Sequence, residues 1–210
     1  DRNAVWFDPQ YRDVVLKGLG MKAQWQIREL KKRADQVLLF FDEPILSALG
    51  TPAYMGISDE QIVNGLNEVI HAAQAEGARV GIHCCGNMDW GLLAQTDLDI
   101  MAFDAYSFGE KIALYPEKVN AFLARGGTLA YGLIPTLEHD DIMQETSDSL
   151  LQKLQSLLEL YVHKGLPQDL LYKQIILTPA CGMGSLPDAL SERVLDLLSQ
   201  TCRDCTQVFA

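Results

Sequence analysis

Two kinds of hydrophobic pattern alternate along this chain. Short, continuous apolar runs are typical of parallel strands that are buried on both faces of a sheet. Between these runs lie longer segments whose apolar residues recur every three or four positions, as in helices that cover such a sheet. The chain therefore predicts an α/β fold with strands over residues 37–44, 79–83, 99–104, 127–135 and 174–178.

The helices are predicted from the same periodicity and from their end signals. Residues 9–34 predict helical segments, with Gly18 and Gly20 interrupting the pattern. Ser58 and Gln61 have the spacing of a capping box, so a helix is expected to begin there. Further helices are predicted around residues 89–95, 116–124, 141–164 and 185–200.

Chemically useful side chains follow the carboxyl ends of the predicted strands. The carboxyl ends of parallel strands meet at one edge of the sheet, and a (β/α)8 TIM-type barrel keeps its active site at that edge. The residues concerned are Asp42, His83, Cys85, Asp104 and Cys181.

About five strands are visible in the sequence, whereas a closed barrel has eight and typically about 250 residues. We therefore expect residues 1–210 to be a single catalytic domain, the C-terminal portion of a full barrel, with further strands before Asp1. The alternative is an open sheet whose unpaired edges are covered by another chain or copy.

Composition narrows the choice of partners. The net charge of −11 argues against a nucleic-acid backbone or an anionic membrane as partner. No apolar run approaches the roughly 20 residues that a membrane-spanning helix needs. Five cysteines are an odd number without the spacing of a secreted disulfide framework, which predicts a reducing, cytoplasmic setting.

A histidine and two cysteines predict a metal site. His83 and Cys85 are two positions apart at a strand end and therefore project to the same face, whereas Cys84 projects to the other. With Cys181 from a second strand end, they provide three ligands, and a zinc site with three protein ligands keeps a position for substrate. Gly86 and Gly182 follow the two cysteines and are expected to let the backbone turn sharply there. The alternative is that these cysteines are small core residues.

The tract Phe41-Asp42-Glu43-Pro44, the His83-x-Cys85 pair, an acid-ended strand and Pro179-x-Cys181-Gly182 occur in a characteristic order. This ordered set resembles cobalamin-independent methionine synthase and its relatives in the uroporphyrinogen decarboxylase-like superfamily. The His-x-Cys-Gly-Asn form is also similar to the methylcobamide:thiol methyltransferases of that superfamily. The resemblance extends over most of the chain, from about Val37 to Leu198.

The resemblance implies a (β/α)8 barrel that binds Zn2+ and methylates a small thiol such as homocysteine or coenzyme M, as in methionine biosynthesis. It implies His83, Cys85 and Cys181 as zinc ligands, and Asp104 as a fourth, although methionine synthases have Glu there. Asp42 is implied to hold the amino group of the substrate. Glu43, the neighbouring acid of the same tract, is implied as a further substrate-binding residue.

Several points stay open at this stage. Tyr106 and Ser107 follow Asp104 and are candidates to line the substrate pocket. The methyl donor is either a corrinoid, which a partner protein can carry, or a folate. The alternative functions are a uroporphyrinogen decarboxylase-like enzyme and a non-catalytic accessory protein that binds a metal or a corrinoid.

Cys202 and Cys205 form a Cys-x-x-Cys pair that we expect to be surface thiols.

Overall fold

The computed structural model describes residues 5–208, without the side chains of residues 207 and 208. The five strands are β1 (Leu38–Asp42), β2 (Arg79–Cys84), β3 (Ile100–Phe103), β4 (Thr128–Ile134) and β5 (Ile175–Pro179). The α-helices are α1 (Pro9–Lys31), α2 (Asp59–Gln74), α3 (Trp90–Leu93), α4 (Ala105–Phe108), α5 (Pro116–Ala124), α6 (His139–Gln144), α7 (Ser147–His163), α8 (Gln168–Lys173) and α9 (Asp188–Val208).

All five strands belong to one parallel sheet in the order β1-β2-β3-β4-β5. This confirms the predicted α/β class and the predicted strand count. Connections between parallel strands are almost always right-handed. When the strand order is also sequential, right-handed connections place the crossover helices on the same face of the sheet. Doubly wound sheets differ, because their order reverses and their helices lie on both faces.

The two faces of the sheet carry different side chains. The bulky residues Ile82, Phe103 and Tyr131 belong to the main core, together with side chains from the helices. On the opposite face, Ile100, Ala102 and Ala130 form a separate small cluster with Ile176. Strand residues thus alternate between a helix-covered side, which includes the aromatic rings of Phe103 and Tyr131, and a side on which isoleucines and alanines form a small separate cluster.

β1 is an edge strand, which corrects the prediction that it is buried. It pairs only with β2 among the described strands, and its residues alternate between half-buried and exposed. Leu38 and Phe40 are 51% and 38% exposed. A continuous apolar run is therefore no proof of burial on both faces, because the run says nothing about which strands have two neighbours.

Two helices differ from their predicted extents. α1 is continuous from Pro9 to Lys31, so Gly18 and Gly20 do not interrupt it. Gly20 instead lets α1 approach α2, since a Cβ at this position would lie 3.0 Å from the Cβ of Ala72. The helix predicted over 141–164 is two helices, because Glu145 has extended backbone angles and Thr146 caps α7 through a capping box with Ser149.

The remaining helix predictions agree with the structure in some cases and differ from it in the helix bounds in others. The capping box of Ser58 and Gln61 is present at the start of α2. α5 has the predicted bounds, and α9 begins later and ends later than predicted. The short helices α4 and α8 were not predicted. Over residues 5–208, no helix combines the length and the apolar character needed to cross a membrane.

Gly132 provides a test of how closely β4 packs against β3 and against the segment that follows β5. A Cβ at this position would lie 2.7 Å from the carbonyl oxygen of Phe103 and 2.8 Å from the Cα of Ala180, both backbone atoms that cannot rotate away. We therefore expect Gly132→Ala to lower the free energy of unfolding by about 1–3 kcal/mol, measured by urea denaturation.

Gly182→Ala is the matched control for that measurement. A Cβ on Gly182 meets nothing within 4 Å, and its φ angle is not positive. This variant should unfold at the wild-type urea concentration. Equal midpoints for the two variants would contradict the packing described here.

Candidate metal centre

His83 lies near the end of β2, and Cys85 follows the strand directly. Their side chains share one face, while Cys84 is buried in the helix-side core. This confirms the alternation predicted from the sequence. The edge strand supports this segment, because the amide of Glu43 donates a hydrogen bond of 2.9 Å to the carbonyl oxygen of His83.

The structure brings His83, Cys85 and Cys181 together. One ligand atom from each residue lies within 4.8 Å of the other two, and all three residues are half-buried. A tetrahedral zinc ion with bonds of about 2.0–2.3 Å holds its ligand atoms about 3.3–3.8 Å apart. The three side chains can therefore hold a metal ion after only small adjustments, as the sequence predicted.

The approach of Cys85 to Cys181 requires a curved sheet. The two residues follow β2 and β5, and β3 and β4 lie between these strands. In a flat sheet, three strand spacings amount to about 14 Å. The loops after β2 and β5 therefore converge over the carboxyl edge, as they do where a sheet curls toward a barrel.

The surroundings of His83 suit a metal ligand. Burial lowers the pKa of its imidazole, and the nearby carboxylates of Asp42 and Asp104 oppose this by favouring the charged form. Its Nε2 atom is buried and has no hydrogen-bond partner among the described residues. A buried ring nitrogen without a partner costs free energy that a bound cation would recover.

The two cysteines also suit a cation. Burial raises the pKa of the Cys85 thiol, and the neighbouring Cys181 raises it further. Two thiolates so close together repel each other, and a metal ion between them removes that repulsion. One imidazole and two thiolates form a donor set that selects thiophilic ions such as zinc.

Asp42 and Glu43 have different surroundings although they are adjacent. Asp42 pairs in register with His83 and therefore projects to the same face of the sheet. Glu43 contributes to the raised pKa of Cys84 on the helix side, and its own pKa is raised by burial and then by Asp42. Both acids line an apolar cavity of about 610 Å³ between α1, α2 and the segment after β1.

Asp104 is close to the centre but is not part of the three-residue group. It is 1% exposed, and its Oδ1 accepts a hydrogen bond of 2.8 Å from the amide of Ser107, which makes it the N-cap of α4. This role follows from its position one residue before a short helix that the sequence did not predict. Its role as a fourth ligand stays a prediction.

Tyr106 and Ser107 line a second cavity of about 500 Å³, to which α7 also contributes. The hydroxyl of Tyr106 donates to Glu145 at 2.8 Å, and Lys153 Nζ lies 3.5 Å from the centre of its ring. Burial first, and then Glu145, raise the pKa of Tyr106. None of the three metal-site residues lines this cavity, so a substrate role for Tyr106 and Ser107 stays a prediction.

The backbone bends at Cys85-Gly86 and at Ala180-Cys181, beside both sulfur atoms as expected, although neither following glycine has a positive φ angle. Gly86 also permits close approach, since a Cβ there would lie 2.7 Å from the Cβ of Ser47.

Cys202 and Cys205 differ from expectation. They are half-buried on α9 rather than surface thiols, and burial raises the pKa of both.

Sequence reasoning missed one residue at this edge. Thr136 lies two positions after the end of β4, is buried, and has a hydroxyl without a partner among residues 5–208. Pro135-Thr136 at a strand end was the available signal. A hydroxyl of this kind at the carboxyl edge is a candidate for contact with a ligand.

No protein-family model and no curated protein sequence matches this chain. The resemblance to the methionine synthases therefore rests on the residues quoted above and stays a prediction.

Metal content of site variants tests the centre. We expect the wild-type protein to bind about one zinc ion per chain, measured by plasma emission spectroscopy after equilibrium with zinc. His83→Ala and Cys181→Ser should each lose most of it, because two ligands hold zinc poorly. Cys84→Ser should retain it, since Cys84 faces the helix-side core.

Asp104→Asn belongs in the same series. The amide oxygen of Asn can still cap α4, so the variant is expected to fold and to retain zinc if Asp104 is a cap alone. Loss of zinc from Asp104→Asn would make Asp104 a fourth ligand. Equal loss from Cys84→Ser and Cys181→Ser would contradict the geometry of the site.

Proposed function

We propose that this chain is the catalytic part of a zinc-dependent S-methyltransferase that methylates a small thiol. The observation that carries the proposal is the group of His83, Cys85 and Cys181, whose ligand atoms lie within 4.8 Å of one another at the carboxyl edge of a parallel sheet. Three protein ligands leave one coordination position, which is typical of catalytic rather than structural zinc.

Zinc fits the residues better than a hard cation does. Two cysteines and a histidine offer sulfur and nitrogen, whereas magnesium and calcium require oxygen ligands. When bound, zinc would hold a substrate thiol in its deprotonated, nucleophilic form at neutral pH.

The protein's own residues would hold and orient the reactants. His83, Cys85 and Cys181 would fix the position of the metal, and hence that of the substrate sulfur, at the edge of the sheet. Asp42 projects to the same face as His83 and is exposed, so it would accept a charge-assisted hydrogen bond from the ammonium group of an aminothiol. The substrate thiolate would then attack the methyl carbon of the donor. A sulfur–carbon bond would form, the bond between donor and methyl group would break, and the demethylated donor would leave with that electron pair.

The topology of the sheet supports the proposal that the chain is part of a (β/α)8 barrel. A sequential parallel sheet whose carboxyl-end loops converge is what part of a (β/α)8 barrel requires. The donor would be a methyl-corrinoid, on a partner protein or free, with a methyl-folate as the second choice. Homocysteine is the preferred thiol in this proposal, because its ammonium group can donate a hydrogen bond to Asp42.

Two other functions remain as alternatives from the sequence resemblance. A decarboxylase of the uroporphyrinogen type requires no metal, so the ligand group would have no role in it. An accessory protein would bind metal or corrinoid without turnover. Zinc analysis separates the first from our proposal, and an assay of thiol methylation separates the second.

Replacement of Asp42 tests the orientation of the substrate. With methylcobalamin as donor, we expect Asp42→Asn to raise the KM for homocysteine at least about tenfold, the usual loss for a hydrogen bond to a charged group. The KM for mercaptoethanesulfonate, which lacks an amino group, should be unchanged. Product would be measured by mass spectrometry.

Glu43→Gln is the matched comparison, because Glu43, unlike Asp42, is not paired in register with His83. It should leave both KM values near those of the wild type. No methylated product from either thiol, with methylcobalamin or methyl-tetrahydrofolate, would refute the proposed activity.

A further inference from the structure

Cys85 and Cys181 are free cysteines whose sulfur atoms lie within 4.8 Å of each other. A disulfide has a sulfur–sulfur bond of about 2.0 Å and requires two Cβ atoms about 3.5–4.5 Å apart that point toward each other. The two sulfur atoms therefore have at most about 2.8 Å to close before a bond forms.

The other cysteines are placed differently. Cys84 is buried in the helix-side core and lies on the opposite face from Cys85. Cys202 and Cys205 are both on α9 and belong to no metal-type group among the described residues. Cys85 and Cys181 are both half-buried, so a small oxidant can reach them.

We propose that Cys85 and Cys181 close a reversible disulfide when no metal is bound, so that the centre is also a redox-sensitive site. This inference rests on the metal centre of the proposed function, but not on methyl transfer. The oxidant is a peroxide such as hydrogen peroxide.

The chemistry balances with one equivalent of hydrogen peroxide. One thiolate attacks a peroxide oxygen, the O–O bond breaks, and a sulfenic acid and one water form. The second thiol then attacks the sulfenic sulfur, the S–O bond breaks, and a second water leaves. Two thiols are thereby oxidised by two electrons, and the peroxide is reduced to two molecules of water.

The disulfide and the metal exclude each other, because both use the same two sulfur atoms. Either one links the carboxyl end of β2 to that of β5 across two intervening strands. Oxidation of the metal-free form would therefore block metal binding while keeping the curvature of the sheet, and a small dithiol would restore the metal-binding form.

The test uses metal-free protein carrying Cys84→Ser, Cys202→Ser and Cys205→Ser, which leaves only Cys85 and Cys181. One equivalent of hydrogen peroxide should abolish both free thiols, measured with a thiol reagent, and intact mass should show the loss of two hydrogens. Zinc binding should be lost and should return after treatment with dithiothreitol. The zinc-loaded protein should react at least tenfold more slowly.

Wild-type protein provides the second measurement. After oxidation and digestion without reduction, peptide mapping should recover Cys85 linked to Cys181. Sulfinic acid at either residue without a disulfide would overturn the inference, as would a link through Cys84, Cys202 or Cys205. Because the readouts are mass, thiols and zinc, absence of methyl transfer would refute the proposed function and leave this result standing.

Discussion

The curvature of the parallel sheet is the constraint on which the site depends. Cys85 and Cys181 follow strands that are separated by two others, and they meet only because the carboxyl ends converge. Small residues allow close packing along the sheet. Gly81 lies under the ring of Phe40, and Gly132 lies against the backbone at Ala180, one residue before Cys181. The fold therefore positions the ligands through close backbone packing, before any ion binds.

Electrostatics then favours a cation at the point of convergence. The buried Nε2 of His83 has no partner in the part of the chain that the structure describes, and burial lowers the pKa of its imidazole. The thiols of Cys85 and Cys181 are close enough to repel as thiolates. One metal ion would satisfy all three groups. The carboxylate of Asp42 lies on the same face of the sheet as His83 and would attract a positively charged substrate to it. Metal binding by His83, Cys85 and Cys181 would then contribute both to the stability of the fold and to the proposed activity.

Local rules explain which features were predictable. Alternation along a strand was sufficient to place His83 with Cys85 and to turn Cys84 away. Side-chain hydrogen bonds were harder to foresee, because the cap that Asp104 provides depends on a four-residue helix with no periodic signal. The exposure of β1 depends on how many neighbours a strand has. The break at Thr146 depends on a capping box inside an unbroken helical pattern.

X-ray absorption at the zinc edge tests the central claim most directly. For the zinc-loaded protein we predict two sulfur neighbours at about 2.3 Å with nitrogen or oxygen at about 2.0–2.1 Å, which corresponds to Cys85, Cys181, His83 and one exchangeable ligand. Added homocysteine should introduce a third sulfur neighbour. A first shell of nitrogen and oxygen only, or a sulfur count that does not change with any thiol, would contradict the account.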